Sequence, residues 1–164
     1  MVKRFNLYKE SRFNVLSELR AFFLAPNQMK YIASKETPKD KLLHEFTTGN
    51  RCLGLVEKGE VLSYIWINTK YLQHYGIKKP LMSNECCFYN AMTKPELRGN
   101  GYAGILRAKC YEILSKQGID TFYSFTDLNN KPAMRFKEKI AAEKIATYKY
   151  IKFWKFESLK DEKL

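Results

Sequence analysis

The residues with the clearest chemical potential lie between positions 98 and 104, where the sequence reads Arg-Gly-Asn-Gly-Tyr-Ala-Gly. The glycines at positions 99 and 101 have no Cβ, so the backbone there can approach a ligand closely. An apolar pattern typical of a helix begins at Tyr102, and the first turn of a helix presents unpaired N–H groups and a partial positive charge. Arg98 adds a full positive charge beside it. This combination predicts a binding site for a phosphorylated ligand.

Two familiar phosphate-binding patterns do not fit this segment. Gly99, Gly101 and Gly104 match the GxGxxG spacing of dinucleotide-binding folds, and Asp127 follows at a suitable distance for a ribose contact. Only 37 residues follow Asp127 (164 minus 127), however, and these are too few for the further strand–helix units of a doubly wound sheet. A Walker A loop is excluded as well, because no Gly-Lys-Ser or Gly-Lys-Thr sequence follows the glycines.

Two separate segments instead resemble one family of enzymes. Residues 93–103 read Thr-Lys-Pro-Glu-Leu-Arg-Gly-Asn-Gly-Tyr-Ala and resemble the acetyl-CoA signature of the GNAT superfamily of N-acetyltransferases. In that signature Arg or Gln is followed, after two residues, by Gly, any residue, and Gly or Ala, and Arg98, Gly101 and Ala103 stand at these positions. Residues 130–136 resemble the family's downstream segment, with an Asn, a small residue three positions later and an apolar residue six positions later. The two segments occur in the family's order.

The resemblance covers residues 50–156 and extends to the first 50 residues by the order of elements alone. It implies a single α+β domain over residues 1–164, with a mixed, mostly antiparallel central sheet that is splayed at the cofactor site and flanked by about four helices. Residues 1–50 would form the acceptor side, residues 51–93 a hairpin and the central strand, and residues 94–156 the acetyl-CoA-binding core and closing strands. The implied enzyme is a transferase that moves acetyl from acetyl-CoA to a primary amine by direct attack in a ternary complex.

The resemblance also implies which residues bind the cofactor. Backbone N–H groups of residues 98–103 would hold the pyrophosphate, backbone groups of the preceding strand would hold the pantetheine and polarise the thioester carbonyl, and Asn130 would contact the pantetheine arm. The residues implied to bind acetyl-CoA are Asn90, Ala91, Met92, Thr93, Arg98, Gly99, Asn100, Gly101, Tyr102, Ala103, Asn130, Ala133, Phe136 and Lys137.

The groups that transfer protons are a separate question, because the attacking amine must be neutral. Glu85 lies thirteen residues before the signature arginine (98 minus 85), where some family members carry a general-base glutamate. We predict Glu85 as the base, directly or through water; the alternative is a solvated carboxylate at a strand end. The family's usual acid is a tyrosine seven residues after the Asn, and Lys137 occupies that position here. The tyrosines available to replace it are Tyr123, Tyr148 and Tyr150, of which we choose Tyr148.

Composition limits the partners and the location. The formal net charge of +12 favours anionic ligands, but no run of five like charges marks a nucleic-acid-binding arm. The four cysteines form no CxxC pair and the sequence shows no signal peptide, so we expect buried reduced thiols in a cytoplasmic protein. Apolar runs fall far short of the ~20 residues of a membrane span. Neither His44 nor His74 has a partner at ligand spacing, so no metal site is predicted.

The expected partner is therefore a small-molecule or peptide amine, with an anionic acceptor such as an amino-sugar nucleotide favoured by the basic charge. No membrane partner is expected, nucleic acid is disfavoured, and the protein would be a monomer or a homodimer. The alternative is a non-catalytic protein of the same fold, whose basic surface binds nucleic acid or another polyanion.

The elements that must position these groups follow from hydrophobic periodicity and turn residues. Strands are predicted at residues 2–9, 52–56, 61–67, 85–93, 119–126 and, as one or two strands, 144–156. Helices are predicted at residues 13–23, from residue 37 through 46, from residue 102 to a cap at Gly118, and in a short segment with Pro132 in its first turn. Residues 70–84 are predicted to be mostly loop. Hairpins followed by a strand–helix–strand unit predict a mixed sheet with helices on its faces.

Overall fold

The computed structural model describes residues 1–34, 37–153 and 156–162. The chain divides into two compact units. The first unit contains Met1–Arg12, Thr69–Phe88 and Gly118–Leu164, and the second contains Phe13–Asn68 and Tyr89–Gln117. Among the described residues, no helix combines the length and the apolar character needed to cross a membrane.

The first unit is built on a mixed sheet with the N-terminal strand in its interior. Strand β1 (Val2–Glu10) pairs antiparallel with both β8 (Thr121–Asp127) and β9 (Glu143–Phe153). Strand β10 (Phe156–Asp161) pairs antiparallel with β9 at the outside, and β7 (Glu85–Thr93) pairs parallel with β8 over residues 85–88. Most neighbours in this sheet are therefore antiparallel, as predicted.

One face of this sheet carries an aromatic and aliphatic core. Because side chains alternate along a strand, Phe5 lies beside its register partners Asp127 and Tyr148 on the same face. A hairpin of β5 (Tyr71–His74) and β6 (Ile77–Pro80) packs there. The buried residues of this cluster are Phe5, Leu7, Leu72, Ile77, Cys87, Tyr148 and Tyr150.

The hairpin corrects the prediction that residues 70–84 are mostly loop. Its strands are only four residues long, and Lys78, Lys79 and Pro80 leave β6 with one buried position. Tyr75 and Gly76 make the turn with positive φ values of 21° and 46°. Such short strands are held by burial of Leu72 and Ile77, which a periodicity window does not detect.

The opposite face of the first unit's sheet packs against helix α3 (Lys131–Lys139) around a buried charged group. The ammonium of Lys137 pairs with Oε1 of Glu10 and donates to Oγ of Ser124 at 2.6 Å. The Ser124 hydroxyl donates to the same Glu10 oxygen at 2.5 Å. The side chains of Lys137 and Glu10 are only 5% and 0% exposed, so this pair is withdrawn from water.

The second unit contains strands β2 (Arg20–Phe23), β3 (Arg51–Glu57) and β4 (Glu60–Asn68), paired antiparallel in the order β2-β3-β4. Helix α2 (Tyr102–Ser115) packs against these strands. Helix α1 (Lys39–Thr47) and a 3₁₀ turn (Pro26–Tyr31) contribute to its core. The buried residues of that core are Leu24, Met29, Leu42, Cys52, Val61, Tyr64 and Trp66.

The predicted helix at residues 13–23 is wrong. Residues 11–19 form no helix or strand, Leu16 is fully exposed, and residues 20–23 form strand β2. Phe22 pairs with Gly54 of β3, and the Phe23 ring lies under the Arg51 guanidinium at 3.5 Å. The apolar residues matched helical spacing, but pairing with β3 satisfies the backbone of residues 20–23 instead.

The other predicted elements are confirmed within a few residues, except that positions 154–155 of the predicted closing strands lie outside the described residues. The 52–56 and 61–67 hairpin is β3 and β4, with Lys58 and Gly59 at positive φ in the turn. Strand 85–93, the helix from residue 102 and the short helix containing Pro132 are β7, α2 and α3. The described residues form three α-helices and two 3₁₀ turns, in keeping with the predicted number of helices.

Glu10→Gln should destabilise the protein by about 3–5 kcal/mol, because it leaves the buried Lys137 ammonium without its carboxylate. Replacing both residues, in Glu10→Met with Lys137→Met, should recover much of that loss, since no buried charge remains. Urea unfolding curves measure both effects. The matched control is Glu112→Gln, whose carboxylate pairs with Lys116 on the surface and should matter little. Equal unfolding midpoints for Glu10→Gln and Glu112→Gln would contradict this account.

Candidate functional site

The glycines of the predicted phosphate site lie in backbone conformations that few other residues adopt. Gly99 has φ of +86° and Gly101 has φ of +80°, both in the left-handed region. The Asn100 side-chain amide donates to the carbonyl oxygen of Leu97 at 3.2 Å and closes the turn that precedes them. Gly101 is the N-cap of α2, so the chain passes directly from the turn into the helix.

The start of α2 faces open space. A Cβ built on Gly99, Gly101 or Gly104 meets no atom within 4 Å. The N–H groups of Gly104 and of residue 105 bond to the Gly101 carbonyl oxygen, at 2.9 and 3.1 Å. In an α-helix the N–H groups of the first residues, here Tyr102 and Ala103, have no acceptor within the helix. The first turn carries no acidic residue. This local geometry fits an anionic group such as a pyrophosphate.

Arg98 is exposed and its guanidinium turns back towards the end of β7. Its Nε donates to the carbonyl oxygen of Thr93 at 3.3 Å, and Nη2 lies 3.6 Å from Sδ of Met92. Arg98 also lines a cavity of about 490 Å³ within the second unit. The other walls come from residues 31–34, Val61, Leu62, Tyr64, Met92, Lys94, Pro95 and Glu96. No sequence pattern indicated this cavity.

Strand β7 changes character at Asn90. Cys86, Cys87 and Phe88 are buried, whereas Asn90 and Ala91 are exposed. Asn90 has φ of +46°, which is unusual for a residue with a Cβ and costs roughly 1–3 kcal/mol. This conformation turns the adjoining peptide groups out of the regular strand pattern. The predicted pantetheine-binding strand therefore has an exposed and distorted backbone at this point.

The end of β7 is anchored in the second unit. The Ser63 hydroxyl lies 2.8 Å from the Met92 carbonyl oxygen, to which it donates, and 2.9 Å from the Thr93 hydroxyl. The N–H of Lys94 donates to the carbonyl oxygen of Leu62 at 3.1 Å. These bonds fix the chain shortly before the turn at residues 97–101, called the glycine turn below. Met92 and Thr93 therefore have defined positions.

The predicted residues of the downstream segment lie in the first unit. Asn130 is the N-cap of α3, and its side-chain oxygen accepts from the N–H of Ala133 at 3.2 Å. Ala133 and Phe136 are half-buried on α3. Lys137 is buried with its ammonium directed to Glu10 and Ser124. The residue at the family's usual tyrosine position is thus engaged in the interior of the first unit.

The two predicted catalytic residues have different surroundings. Both oxygens of Glu85 accept hydrogen bonds, Oε1 from the Tyr123 hydroxyl at 3.0 Å and Oε2 from the N–H of Met82 at 2.8 Å. Burial, with a contribution from Glu85, raises the pKa of Tyr123. Tyr148 is buried, its ring stacks on Phe5 with centroids 5.6 Å apart, and burial raises its pKa.

All four cysteines are buried thiols, as predicted. Burial raises the pKa of Cys52 to about 12, so this thiol is not activated as a nucleophile. The described residues contain no group of three or more His, Cys, Asp or Glu side chains arranged to hold a metal ion.

The structure also brings together a pair that sequence reasoning missed. Nε2 of His74 lies 3.3 Å from Oδ1 of Asp127 in the first unit. The two residues are 53 positions apart, so no local spacing indicated their contact. Lys3 and Tyr75 approach the other oxygen of Asp127, each at 3.5 Å.

A comparison with protein-family models gives one decisive match. Residues 15–141 match the model described as the acetyltransferase (GNAT) family, which is well over half of the chain. The chain belongs to the GNAT family of acetyltransferases. The match begins after β1 and ends before β9, so Glu10 lies outside the matched range while Lys137 lies inside it.

Solved structures support the fold. A GNAT-family protein from Novosphingobium aromaticivorans is 15% identical with a TM-score of 0.62, over 91% of this chain and 63% of that protein. A GNAT acetyltransferase from Colwellia psychrerythraea is 14% identical with a TM-score of 0.66, over 88% of this chain and 54% of that protein. The PaiA N-acetyltransferase from Thermoplasma acidophilum was solved in complex with coenzyme A. It is 14% identical with a TM-score of 0.57, over 90% of this chain and 100% of that protein.

At these identities the likeness concerns the fold alone. This chain spans less than two thirds of the Novosphingobium and Colwellia proteins. A comparison with curated proteins found no significant match.

Gly101→Ala should weaken acetyl-CoA binding at least ~10-fold, because a Cβ enters the space in front of the first turn of α2 and strains the left-handed backbone. Isothermal titration calorimetry measures the affinity. Gly59→Ala is the matched control, since Gly59 has φ of +84° and equally open surroundings in the β3–β4 turn. Both variants should lose similar stability, and only Gly101→Ala should lose affinity. Equal acetyl-CoA affinities for the two variants would remove the glycine turn from the site.

Proposed function

We propose that this GNAT-family acetyltransferase moves the acetyl group of acetyl-CoA to a primary amine by direct attack in a ternary complex. The observation that carries the proposal is the start of α2, where left-handed glycines border open space and the first helical turn carries no acidic residue. These features suit a diphosphate, and the family supplies a diphosphate-containing acyl donor. The donor's thioester would provide the activated acetyl group.

The chain's own residues would hold the donor in two ways. Backbone N–H groups at residues 98–103 would bind the pyrophosphate, with the Arg98 guanidinium neutralising its charge. The exposed backbone around Asn90 and Ala91 and the side chain of Asn130 would bind the pantetheine arm. Ala133 and Phe136, on the first two turns of α3, would add apolar contact. These assignments are supported by family motif and local geometry.

The acceptor is a small-molecule or peptide amine, and an anionic acceptor is favoured. A net charge of +12 raises the local concentration of anions near the protein. An amine that also carries phosphate, such as an amino-sugar nucleotide, would satisfy both requirements. We propose that the protein acts in the cytoplasm, as a monomer or a homodimer.

Glu85 is the predicted base. Its carboxylate is held by Tyr123 and by the N–H of Met82, so its position is defined. A carboxylate oxygen accepts more than one hydrogen bond, which leaves a direction from which an ammonium or a bridging water can approach.

The group that protonates the leaving thiolate is predicted to be Tyr148. Its raised pKa keeps the hydroxyl protonated at neutral pH, which an acid requires. Lys137 replaces the family's usual tyrosine, but its ammonium bonds to Glu10 and Ser124. We therefore assign Lys137 to holding α3, and through it the cofactor segment that begins at Asn130.

A second function deserves a test because of Lys137. If acid catalysis has been lost with the tyrosine, the protein would retain the fold and bind a polyanion through its basic surface. Calorimetry with acetyl-CoA and a thiol-release assay over a panel of amines, amino sugars and peptides separate the two. Absence of binding at millimolar acetyl-CoA would exclude the acetyltransferase function. Binding of acetyl-CoA together with amine-dependent thiol release would establish that function.

Glu85→Gln should lower kcat/KM for the best amine of that panel by ~10²-fold or more, because a positioned base contributes at least that much. The control is Tyr123→Phe, which removes a hydrogen bond to Glu85 but leaves the carboxylate in place. Tyr123→Phe should stay within a few-fold of the wild type. Turnover by Glu85→Gln within a factor of about two of wild type, across neutral pH, would show that Glu85 is not the base.

A further inference from the structure

The cavity of the second unit is bounded largely by apolar side chains. Its volume of about 490 Å³ lies in the range of roughly 300–1,000 Å³ that is usual for small-molecule pockets. Val61, Leu62 and Tyr64 of β4 form its buried walls. Ile32 and Met92, both half-buried, add further apolar surface. A molecule that enters this cavity therefore buries its own atoms mostly against hydrocarbon.

The polar groups in the wall already have partners. The Ser34 hydroxyl accepts from the N–H of Thr37 at 3.1 Å. The ammonium of Lys94 lies 3.1 Å from Oε2 of Glu60, and the Arg98 guanidinium is bonded to the end of β7. Hydroxyl and phosphate groups of a ligand would have to compete with these bonds, whereas apolar groups would not.

Glu96 adds a negative charge to the wall. It lies in the exposed 3₁₀ turn Pro95–Leu97 and lines the cavity. The charge of Lys94 is balanced by its partner on β4, and that of Arg98 is proposed to neutralise the pyrophosphate. Glu96 is then the wall residue whose charge acts on an acceptor, and a carboxylate attracts an ammonium group and repels a phosphate or another carboxylate.

Met92 connects the cavity to the predicted thioester site. It lines the cavity and lies two residues after Asn90 on β7. Because two residues of chain span at most about 7 Å, the Cα atoms of Asn90 and Met92 are no further apart than this. Tyr89, on the other side of Asn90, packs against the same core as Met92. An amine whose body occupies the cavity can therefore place its nitrogen beside the exposed backbone around Asn90.

We infer that this cavity binds the body of the acceptor, and that the acceptor is an apolar primary amine with an alkyl or aromatic body. This inference rests on the proposed acetyltransferase function and names its substrate class. The reaction is unchanged: the amine nitrogen forms a bond to the acetyl carbon, and the bond from that carbon to sulfur breaks. The proton of the amine passes to the predicted base, and the leaving thiolate takes a proton from the predicted acid.

An apolar acceptor differs from the anionic acceptor that the total charge favours. The net charge of +12 acts at a distance and attracts coenzyme A as well as any anionic acceptor. The cavity walls act in contact, where burial of each methylene group strengthens binding about fourfold. We therefore expect the walls to decide between acceptors that have reached the site.

A series of amines tests the walls in the wild-type protein. The probes are ethylamine, butylamine, hexylamine and glucosamine 6-phosphate, each with acetyl-CoA, and the readout is thiol release. From ethylamine to hexylamine kcat/KM should rise by ~10²-fold, since four more methylene groups are buried. Glucosamine 6-phosphate should be a poorer substrate than hexylamine, because its phosphate and hydroxyl groups lose water against an apolar wall.

Ala33→Phe should fill the cavity without altering β7. Ala33 lines the cavity but is exposed, so a larger side chain should be tolerated by the fold. For hexylamine kcat/KM should fall by ~10-fold or more, while ethylamine, which needs less space, should change far less. The matched control is Ala25→Phe, because Ala25 is exposed on the same segment and does not line the cavity. Calorimetry should give the same acetyl-CoA affinity for both variants and the wild type.

Glu96→Gln tests the charge of the wall with two amines that differ by one carboxylate. The wild type should prefer phenethylamine to phenylalanine by ~10-fold or more, because like charges placed together at a binding site are strongly disfavoured. Glu96→Gln should reduce this preference. Glu112→Gln is the control, since Glu112 lies on α2 and does not line the cavity. It should leave the preference as in the wild type.

The outcomes separate the function from the substrate class. If the wild type binds no acetyl-CoA, or releases no thiol with any amine, the proposed function fails and this inference fails with it. If it is active but prefers glucosamine 6-phosphate, or shows no dependence on alkyl length, the function stands and the apolar acceptor is refuted. If the dependence on length is the same in Ala33→Phe and Ala25→Phe, the acceptor does not bind in this cavity.

Discussion

The first unit is built around a charge pair that is almost completely withdrawn from water. Glu10 at the end of the first strand and Lys137 in the last turns of α3 are 127 positions apart, yet they share one hydrogen-bond network with Ser124. Two isolated buried charges would each be very costly, but their attraction and the serine hydroxyl offset the desolvation. The pair fixes α3 on the sheet. The position of Asn130, at the start of the same helix, follows from it.

The same network accounts for an unusual feature of this family member. A lysine stands where the family usually has a tyrosine, and its partner Glu10 lies before the part of the chain that matches the family. Strand β1, paired on both sides, supplies that carboxylate to the sheet interior. The lysine and the N-terminal strand are therefore best understood together, since a buried ammonium at position 137 requires the carboxylate that β1 brings.

On the other face of the same sheet, aromatic rings surround a histidine and a carboxylate. Phe5 and Phe125 orient the imidazole by contact alone, and burial keeps it in the form that can accept a proton. The first unit thus uses its two faces differently. One face holds a charged pair in its interior for structure, and the other holds a titratable pair at its edge, where solvent can exchange protons with it.

The sequence by itself determined the parts of the protein that depend on neighbouring residues. Gly99 and Gly101 take left-handed conformations, and Asn130 caps α3. Strand β7 has the predicted bounds, and α2 begins where predicted although it ends at Ser115, before the predicted cap. Backbone conformation and capping are set within a few residues, so they can be read from spacing. The family itself followed from these local segments.

Only the tertiary structure decided which distant groups meet. The apolar residues at 13–23 have helical spacing, but residues 20–23 pair with β3 as a strand. The β5–β6 hairpin forms because its two apolar side chains, Leu72 and Ile77, are buried in the core. The partners of Lys137 and His74 are set by sheet register, in which one residue of displacement would turn Glu10 or Phe5 to the opposite face. Register is a property of the whole sheet, so it cannot be predicted from a local pattern in this sequence.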